Sequence, residues 1–257
     1  MTLSSYIPVD YWNEVARRIR NRKKQNLVAG DDEPFYHYKR QKFLSLLNSI
    51  SFSGKKILEV GPGPGGNLLE IHKQAPAELH GVDISDEMLA LAKETIGTLN
   101  IILHKTDGKT LDFPNRYFDI VITATVLQHI TDEKILMQLV SSICKVSGSD
   151  VYLFERIEQK RKETNTNIGR TINEYAALFN QHDFYLKECR FADLHVSYIT
   201  SGLARKLFNK QDREEGEQAS PFSKSIQKTI LPFTRQLDKV FKPKRDLAML
   251  HFKKGDI

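Results

Sequence analysis

The feature that most constrains the fold is a regular alternation of short apolar runs with amphipathic stretches. Strand-like runs are KKILEV, AELHGVDIS, NIILHK, RYFDIVITATVL, DVYLFERI and FYLKECRFADLHV, with a last one, DLAMLHFKK, near the C-terminus. Helix-like stretches between them are NLLEIHKQ, DEMLALAKETIGTL, DEKILMQLVSSICK and TINEYAALFNQHDF. Strands that alternate with helices predict an α/β fold, in which helices cover both faces of a largely parallel sheet.

A glycine-rich loop separates the first strand from its helix. The stretch EVGPGPGGN runs from Glu59 to Asn67, and its Gly61, Gly63 and Gly66 fit the spacing GxGxxG. Such a loop lies at the carboxyl edge of the sheet, where open α/β sheets bind ligands. Glycines let the backbone pass close beneath a nucleotide, and the following helix directs its first N–H groups at it. The spacing alone does not separate a dinucleotide from another adenosine cofactor.

The residues that end the neighbouring strands narrow this choice. Asp83 ends the second strand, where its carboxylate can accept hydrogen bonds from both ribose hydroxyls. Ile84 can lie against the adenine face, and Met88 follows one turn into the next helix. Asp107 and Gly108 follow the third strand, where a carboxylate can accept from the adenine amino group.

This ordered set resembles the class I, Rossmann-like S-adenosylmethionine-dependent methyltransferases. The phrase VLQHI after the fourth strand is similar to the branch that acts on small molecules, and the resemblance covers roughly residues 54–155. It implies a seven-stranded sheet of order 3-2-1-4-5-7-6 whose last strand, here DLAMLHFKK, is antiparallel. Pro62 and Pro64 would stiffen the loop and so reduce its loss of entropy on binding.

The resemblance also implies the cofactor, S-adenosylmethionine, and the residues that would hold it. In the core these are Glu59, Gly61, Gly63, Gly65, Asn67, Asp83, Ile84, Met88, Asp107, Gly108 and Thr123. The segment before the first strand is expected to fold over the cofactor as a lid and to add Tyr38 and Arg40. Either Lys39 or Arg40 could pair with the methionine carboxylate.

Methyl transfer requires little acid–base catalysis by the protein, because the sulfonium is already an activated methyl donor. The protein must align the acceptor, exclude water and, where needed, remove a proton. His129, after the fourth strand, is the candidate base; a capping or packing histidine is the alternative interpretation. Gln128 could contact the donor or the acceptor. Glu155 and Arg156, after the fifth strand, are expected to face the edge of the site. No HExxH or Cys/His cluster indicates a metal.

The chain divides into four predicted parts. Residues 1–50 form a helical lid, 51–199 the cofactor-binding core, 200–245 a basic helical insert and 246–257 the final strand. The insert is expected to contain two or three amphipathic helices, broken at Pro221 and Pro232, and to cap the acceptor site.

Positive charge is concentrated near the C-terminus. Residues 200–257 carry 13 Lys and Arg against 7 Asp and Glu, whereas residues 1–199 carry 25 of each. A second basic run, RRIRNRKK, spans Arg17 to Lys24. Either could meet phosphate, nucleic acid or an anionic membrane surface, and either could be a solvated basic helix face. The insert could also meet a sugar-phosphate or lipid-linked acceptor, or form a helical cap or a dimer contact. No separate nucleic-acid module is present, so a nucleic-acid partner is not expected.

Methyl transfer to an oxygen or nitrogen atom of a small molecule, or of a glycan or lipid-linked precursor, is therefore the favoured function. The alternatives are a tRNA or protein methyltransferase that uses the basic C-terminal segment, a non-catalytic cofactor-binding module, and a nicotinamide dehydrogenase. The two cysteines form no CxxC pair and the N-terminus has no signal-like apolar run. We expect a cytoplasmic protein, with peripheral membrane contact left open.

Overall fold

The computed structural model describes residues 6–22, 33–210 and 213–255. The strands are β1 (Lys56–Val60), β2 (Glu78–Asp83), β3 (Ile102–Lys105), β4 (Phe118–Ala124), β5 (Ser147–Ile157), β6 (Lys162–Glu163), β7 (Ile168–Gly169), β8 (Phe184–Phe191) and β9 (Asp246–Lys254). The helices are α1 (Pro8–Arg20), α2 (Pro34–Leu47), α3 (Gly66–His72), α4 (Asp86–Ile96), α5 (Glu133–Val146), α6 (Ile172–Asn180), α7 (His195–Phe208) and α8 (Pro221–Leu237).

Seven strands form one sheet in the order β3-β2-β1-β4-β5-β9-β8. The first five are parallel, and β9 runs antiparallel between β5 and β8. Since β6 and β7 form a separate short hairpin, this is the order 3-2-1-4-5-7-6 expected from the sequence. The predicted fold class and the antiparallel last strand are confirmed.

Apolar side chains on both faces of the sheet form the core. On one face, strand residues such as Val121 and Leu153 pack with Leu139 of α5 and Phe179 of α6. On the other, α2, α3 and α8 contribute a second cluster. Parallel strands covered on both faces read as nearly continuous apolar runs, which is why the sequence signal was strong there.

The helices begin where the sequence supplies caps. The Ser85 hydroxyl accepts from the Met88 N–H at the start of α4, and Asp132 accepts from Lys134 and Ile135 at the start of α5. Thr171 and Glu174 form a complete capping box on α6. These caps satisfy N–H groups that have no partner within the helix. They fix the point at which each helix leaves the carboxyl edge of the sheet.

The N-terminal helix is attached to the core by its basic run. Arg17 and Arg20 pair with Glu87 of α4, at 3.4 and 2.8 Å, and Val15, Ala16 and Ile19 are buried with Met88 and Leu91. The described part of RRIRNRKK therefore includes cations that are engaged within the chain, while Lys23 and Lys24 lie outside the described residues.

The region before the last strand departs from the prediction in two places. The sixth strand, β8, ends at Phe191, and His195 begins α7, so the predicted boundary at residue 199 falls inside a helix. The predicted break at Pro232 is wrong, because this proline lies within α8. Pro232 is on the exposed side of the helix, where the carbonyl that loses its N–H partner can face water. In the part of the chain that is described, no helix is long and apolar enough to span a bilayer.

Candidate functional site

The loop after β1 is shaped by glycine. Gly61, Gly63 and Gly65 all have positive φ, at 71°, 52° and 86°. A Cβ on Gly61 would overlap the side chain of Val126, so only glycine fits this position. The loop therefore passes close beneath the turn that follows β4.

Asp83 ends β2 facing this loop. Its Oδ1 accepts from the Ser85 N–H at 2.9 Å and its Oδ2 from the Gly63 N–H at 3.2 Å. Burial raises the pKa of Asp83 to about 6, because its effect is larger than that of the two hydrogen bonds, which lower the pKa. A buried carboxylate fixed by two backbone donors is a preorganised acceptor for ligand hydroxyls.

A buried polar chain lies under the first turn of α3. Glu59 is fully buried; its Oε1 accepts from the Asn67 amide at 2.7 Å, and its Oε2 has no hydrogen-bond partner among the described residues. Burial raises the pKa of Glu59 to about 7. Arg40 of α2 donates to Asn67 Oδ1 and, at 3.0 Å, to the Gly66 carbonyl. Helix α2 is thus tied directly to the glycine loop.

A first cavity of about 400 Å³ opens beside Asp83. Seven of the predicted cofactor-binding residues line it, together with the candidate base His129: Gly61, Gly63, Asp83, Ile84, Met88, Asp107 and Gly108. Gly108 has φ of 77°, and a Cβ there would lie 2.8 Å from Ile84 Cγ2 and narrow the cavity. Apolar side chains of α5, including Ile135 and Leu139, complete the lining. Its shape and mainly apolar lining suit a purine nucleoside.

Asp107, which the sequence assigns to the adenine amino group, also accepts hydrogen bonds within its own loop. Its Oδ1 accepts from the N–H groups of Lys109 and Thr110, both at 2.8 Å, and these bonds lower the pKa of Asp107. One oxygen therefore stabilises the loop after β3, and Oδ2, in a weaker 3.3 Å contact with the Thr110 hydroxyl, is the one left for a ligand.

A second, more polar cavity of about 440 Å³ lies beyond the glycine loop. Its lining includes Tyr36, Lys39, Arg40, Gln128 and Glu215. Burial lowers the pKa of Lys39, and Arg205 and Arg156 lower it further, whereas Glu215 raises it. Cations in a partly buried setting favour an anionic ligand group, because such a group restores the charge balance.

Six residues line both cavities and mark where they meet: Trp12, Gly61, Gly63, Ala124, Thr125 and His129. The rings of Trp12 and His129 are perpendicular, with centroids 5.0 Å apart. Thr125 has φ of 56°, which a β-branched residue adopts only under strain. A cofactor whose nucleoside fills the first cavity would direct its far end through this junction.

Hydrogen bonds fix the tautomer of His129. The Gln128 Oε1 accepts from the Arg156 N–H at 3.1 Å, so its amide nitrogen faces His129 Nε2, also at 3.1 Å. The Thr166 carbonyl, 3.1 Å from Nδ1, requires a proton there. Nε2 is therefore the acceptor, and burial lowers the pKa of His129, which keeps the ring neutral near pH 7.

Two buried charges hold the turn that carries His129. Glu155 accepts from the N–H groups of Val126, Leu127 and Gln128, at 3.0, 3.0 and 3.1 Å. Arg170, also fully buried, donates to the carbonyls of Leu127 and Ile130, at 2.8 and 2.9 Å. The sequence placed Glu155 at the edge of the site, whereas its carboxylate lies beneath the turn and positions it.

Four predicted cofactor residues lie outside both cavity linings. Glu59 and Gly65 support the glycine loop from below, and Gly65 caps α3. The Thr123 hydroxyl is buried and donates to Glu155 at 3.2 Å. Tyr38 is buried beneath Arg235 of α8, 4.3 Å from the ring centroid. Thr123 and Tyr38 thus face away from the cavities, because the strand alternation and the helix rotation direct them into the protein.

The sequence did not reveal the junction. Glu215 reaches it from the insert and accepts from the Tyr11 hydroxyl of α1 at 2.7 Å, a pair separated by 204 residues. Thr125 carries no sequence signal for its positive φ. Trp12 was expected only within the lid, and nothing in its spacing indicates contact with His129.

Comparisons with known proteins agree with this geometry. The family described as "Methyltransferase domain" matches residues 57–148. A phosphoethanolamine N-methyltransferase of Plasmodium falciparum is 32% identical over 90 residues, 34% of this chain and 34% of that protein. A phosphatidylethanolamine N-methyltransferase of Cereibacter sphaeroides is 30% identical over 107 residues, 40% of this chain and 51% of that protein.

Residues 57–148 of this chain match a methyltransferase domain, and the sheet has the strand order of the Rossmann-like methyltransferase fold. The fold agrees: magnesium protoporphyrin IX methyltransferase of Synechocystis PCC 6803, solved with bound SAH, superposes with a TM-score of 0.59 at 13% identity, covering 96% of this chain and 98% of that one. The chain spans only about a third to a half of the curated relatives described above.

The cofactor of this methyltransferase domain is S-adenosylmethionine, and the residues present fit it. The nucleoside cavity contains the Asp83 carboxylate for the ribose, and Arg40 lies beside the glycine loop for the methionine carboxylate. Glu59 lies outside both linings, and by accepting from the Asn67 amide it holds a residue that lines the second cavity. The clash that a Cβ on Gly61 would make with Val126 shows that this position, which lines both cavities, requires glycine.

Proposed function

We propose that this protein transfers the methyl group of S-adenosylmethionine to an oxygen or nitrogen atom of a small acceptor, free or linked to a lipid or glycan. The observation that carries the proposal is the meeting of two cavities at Trp12, Thr125 and His129. The first cavity suits the nucleoside, and the second is polar and has room for an acceptor. Their junction is where donor and acceptor would be aligned.

The lining of the second cavity favours an acceptor that carries an anionic group. Lys39 and Arg213 both contribute to it, and the aromatic face of Tyr36 lies beside them. Two relatives are named as N-methyltransferases of phosphoethanolamine and phosphatidylethanolamine, which combine an amine with a phosphate. Their names support an amine acceptor with an attached phosphate as the first class to test.

When bound, the cofactor supplies an electrophilic methyl carbon. The chain's own residues position the acceptor, exclude water and receive a proton. The ring pair of Trp12 and His129 excludes water at the junction. The His129 Nε2 lone pair, now accepting from Gln128, is placed to accept the proton that an acceptor hydroxyl or ammonium loses. Glu155 and Arg170 keep that nitrogen in place.

A methyl-transfer assay tests the proposal. Formation of S-adenosylhomocysteine is measured with phosphoethanolamine, ethanolamine, phosphatidylethanolamine in micelles and simple phenols. We expect turnover with at least one acceptor, with lower KM for the phosphorylated member of a pair. Lys39→Met should raise that KM, whereas the control Lys42→Met, on the same helix, should not. Tight cofactor binding without product from any of these acceptors would instead favour a non-catalytic module.

The alternative of a tRNA or protein methyltransferase has less support. Cations of α1 pair with Glu87 and Glu94, and Arg245 pairs with Glu158 at 3.0 Å. The acceptor cavity is a recess bordered by α1 and by the loop that contains Glu214 and Glu215. A recess of this size suits a small molecule or a headgroup better than a folded macromolecule.

A further inference from the structure

The helix pair α7–α8 presents a broad apolar face. Ile199, Leu203 and Leu207 are four residues apart, so they share one side of α7, and each is more than half exposed. On α8 and just beyond it, Phe222, Phe233, Leu237, Val240 and Phe241 are exposed, with Phe233 and Val240 at 73% and 74%. Scattered exposed apolar residues are ordinary, but a contiguous set of this size marks an interaction surface.

The apolar sides of the two helices adjoin. The helices are antiparallel neighbours: the Ser197 and Thr234 hydroxyls are 2.8 Å apart near one end, and the rings of Phe208 and Phe222 are 4.9 Å apart at the other. The buried seam contains Ser201, Ala204 and Gln227. On each helix, the exposed apolar residues lie on the side next to this seam and away from the core.

The charge on the pair has one sign. Neither α7 nor α8 contains an acidic residue, whereas they carry Arg205, Lys206, Lys224, Lys228 and Arg235. Asp238, directly after α8, is buried and accepts from the N–H groups of Val196 and Ser197 at 2.7 and 3.1 Å. Lys239, Lys242 and Lys244 follow, and of these Lys242 pairs with Asp193 at 3.0 Å. No exposed carboxylate within these helices offsets the cations.

From this arrangement we infer that the α7–α8 face docks on an anionic membrane surface. Phe, Leu and Val side chains enter the boundary between headgroups and acyl chains, and the lysines at the two ends of the pair meet anionic headgroups. A second copy of the chain fits less well, because an isologous contact would bring this cation-only pair against itself. The inference is separate from methyl transfer, since these exposed residues line neither cavity.

Docking of this face would act on the acceptor site through α2. Arg205 of α7 lies over the rings of Phe35 and Tyr36, 5.3 and 5.2 Å from their centroids, and Arg235 of α8 lies over Tyr38. Gln227 donates to Glu33, at the start of α2. Membrane contact at α7–α8 would therefore reach, through packed side chains, the helix that carries Lys39 and Arg40.

Vesicle flotation tests the inference on the full chain. Vesicles of phosphatidylcholine with 30% phosphatidylglycerol are compared with pure phosphatidylcholine, at low and high salt. We expect binding to the anionic vesicles alone, weakened by salt. Phe233→Ser combined with Val240→Ser should lower binding at least about ten-fold. Met137→Ser, which changes an exposed methionine on α5, is the matched control and should bind as the wild type does.

Three outcomes would overturn the inference. Absence of binding to anionic vesicles removes its basis, and binding that the double variant retains places the contact elsewhere. Sedimentation that shows a dimer, split by the same double variant, would assign the face to a second copy. Unchanged circular dichroism and cofactor affinity of the variants exclude unfolding as the cause of a loss.

Discussion

Two buried carboxylates, Glu59 and Asp83, dominate the electrostatics of the cofactor site. Burial raises the pKa of Glu59 to about 7 and that of Asp83 to about 6. Two ribose hydroxyls, which would donate to Asp83 in the first cavity, favour its ionised form. In the unliganded protein, ionisation of the buried Glu59 and Asp83 therefore costs free energy, and bound cofactor would reduce this cost at Asp83.

This cost predicts a pH dependence of stability. Because the folded pKa of Glu59 is raised, the folded protein binds a proton between about pH 4.5 and 7 that the unfolded chain has released. The free energy of unfolding without cofactor should thus fall as pH rises through this window, by about 1–3 kcal/mol from Glu59. Urea unfolding at pH 5 to 8 measures it.

Other groups also change the stability in this pH range. Burial lowers the pKa of His129, so its contribution to the free energy of unfolding rises with pH, opposite to that of Glu59. Comparison of the wild type with Glu59→Gln isolates the contribution of Glu59. The stability of the variant should depend less on pH than that of the wild type. Parallel curves for the two proteins would mean that Glu59 is ionised in the unliganded fold throughout.

Asp83 supports a prediction about affinity. Asp83→Ala removes charge-assisted acceptors for the ribose hydroxyls and should weaken S-adenosylmethionine binding by about 10- to 100-fold, measured by calorimetry. Asp86→Ala, which removes a neighbouring exposed carboxylate, is the control and should change affinity little. Equal affinity of Asp83→Ala and wild type would remove Asp83 from the ribose site.

His129 supports a prediction about turnover. His129→Ala should leave cofactor affinity within a few-fold of the wild type and lower kcat by about 100-fold for an acceptor that must lose a proton. The pH profile of kcat should lose its rising limb in the same variant. A kcat unchanged by the substitution would mean that His129 only packs against Trp12.

At the scale of elements, the turn after β4 is held by one buried carboxylate and one buried guanidinium, which belong to different elements. Glu155 of β5 binds its N–H groups, and Arg170, just after β7, binds its carbonyls. Arg170 also pairs with Glu133 at 2.9 Å. The short β6–β7 segment, outside the main sheet, thereby helps to place His129.

Removal of Arg170 should therefore destabilise the protein. Arg170→Leu removes the side-chain donor from the Leu127 and Ile130 carbonyls and the partner of Glu133, and should lower the free energy of unfolding by about 2–4 kcal/mol. The matched control is Arg161→Leu, which removes a more exposed cation paired with the same Glu133. Similar losses from the two substitutions would show that the ion pair, and not the carbonyl contacts, matters.

The elements of the core could be predicted because local and global signals agree there. Apolar strand runs, the glycine loop and the acids at the strand ends all point to one sheet edge, and the strand order followed. The local sequence patterns gave wrong predictions where contacts between distant residues determine the secondary structure. The stretch ADLHV has strand-forming residues, yet Val196 and Ser197 donate to Asp238 and begin a helix. Pro232 reads as a break, yet packing of α7 and α8 continues the helix through it.

At the scale of the whole molecule, the two ends of the chain close over the core together. Arg18 of α1 donates to the Glu215 carbonyl at 3.2 Å and pairs with Glu214, and Tyr11 binds the Glu215 carboxylate. Helix α1 and the loop that contains Glu214 and Glu215 are thus joined beside the junction. Contacts between residues about 200 positions apart leave no trace in local sequence patterns, which is why the junction was not predicted.

Tyr11→Phe tests this assembly. Loss of one hydrogen bond of about 1 kcal/mol should weaken cofactor binding by roughly five-fold, because α1 carries Trp12. The unfolding midpoint should change little. Tyr185→Phe, at an exposed position on β8, serves as the control. Unaltered cofactor affinity in Tyr11→Phe would show that the lid position does not depend on Glu215.

The most direct test uses Trp12, which is the only tryptophan in the sequence. Since its ring lies at the junction of the two cavities, bound cofactor must contact it or change its surroundings. We predict a saturable change in tryptophan emission with S-adenosylmethionine and with S-adenosylhomocysteine, matching the calorimetric affinities, and none with NAD. Emission that stays constant while calorimetry reports binding, or that responds to NAD instead, would contradict the placement of the methyl donor at this junction.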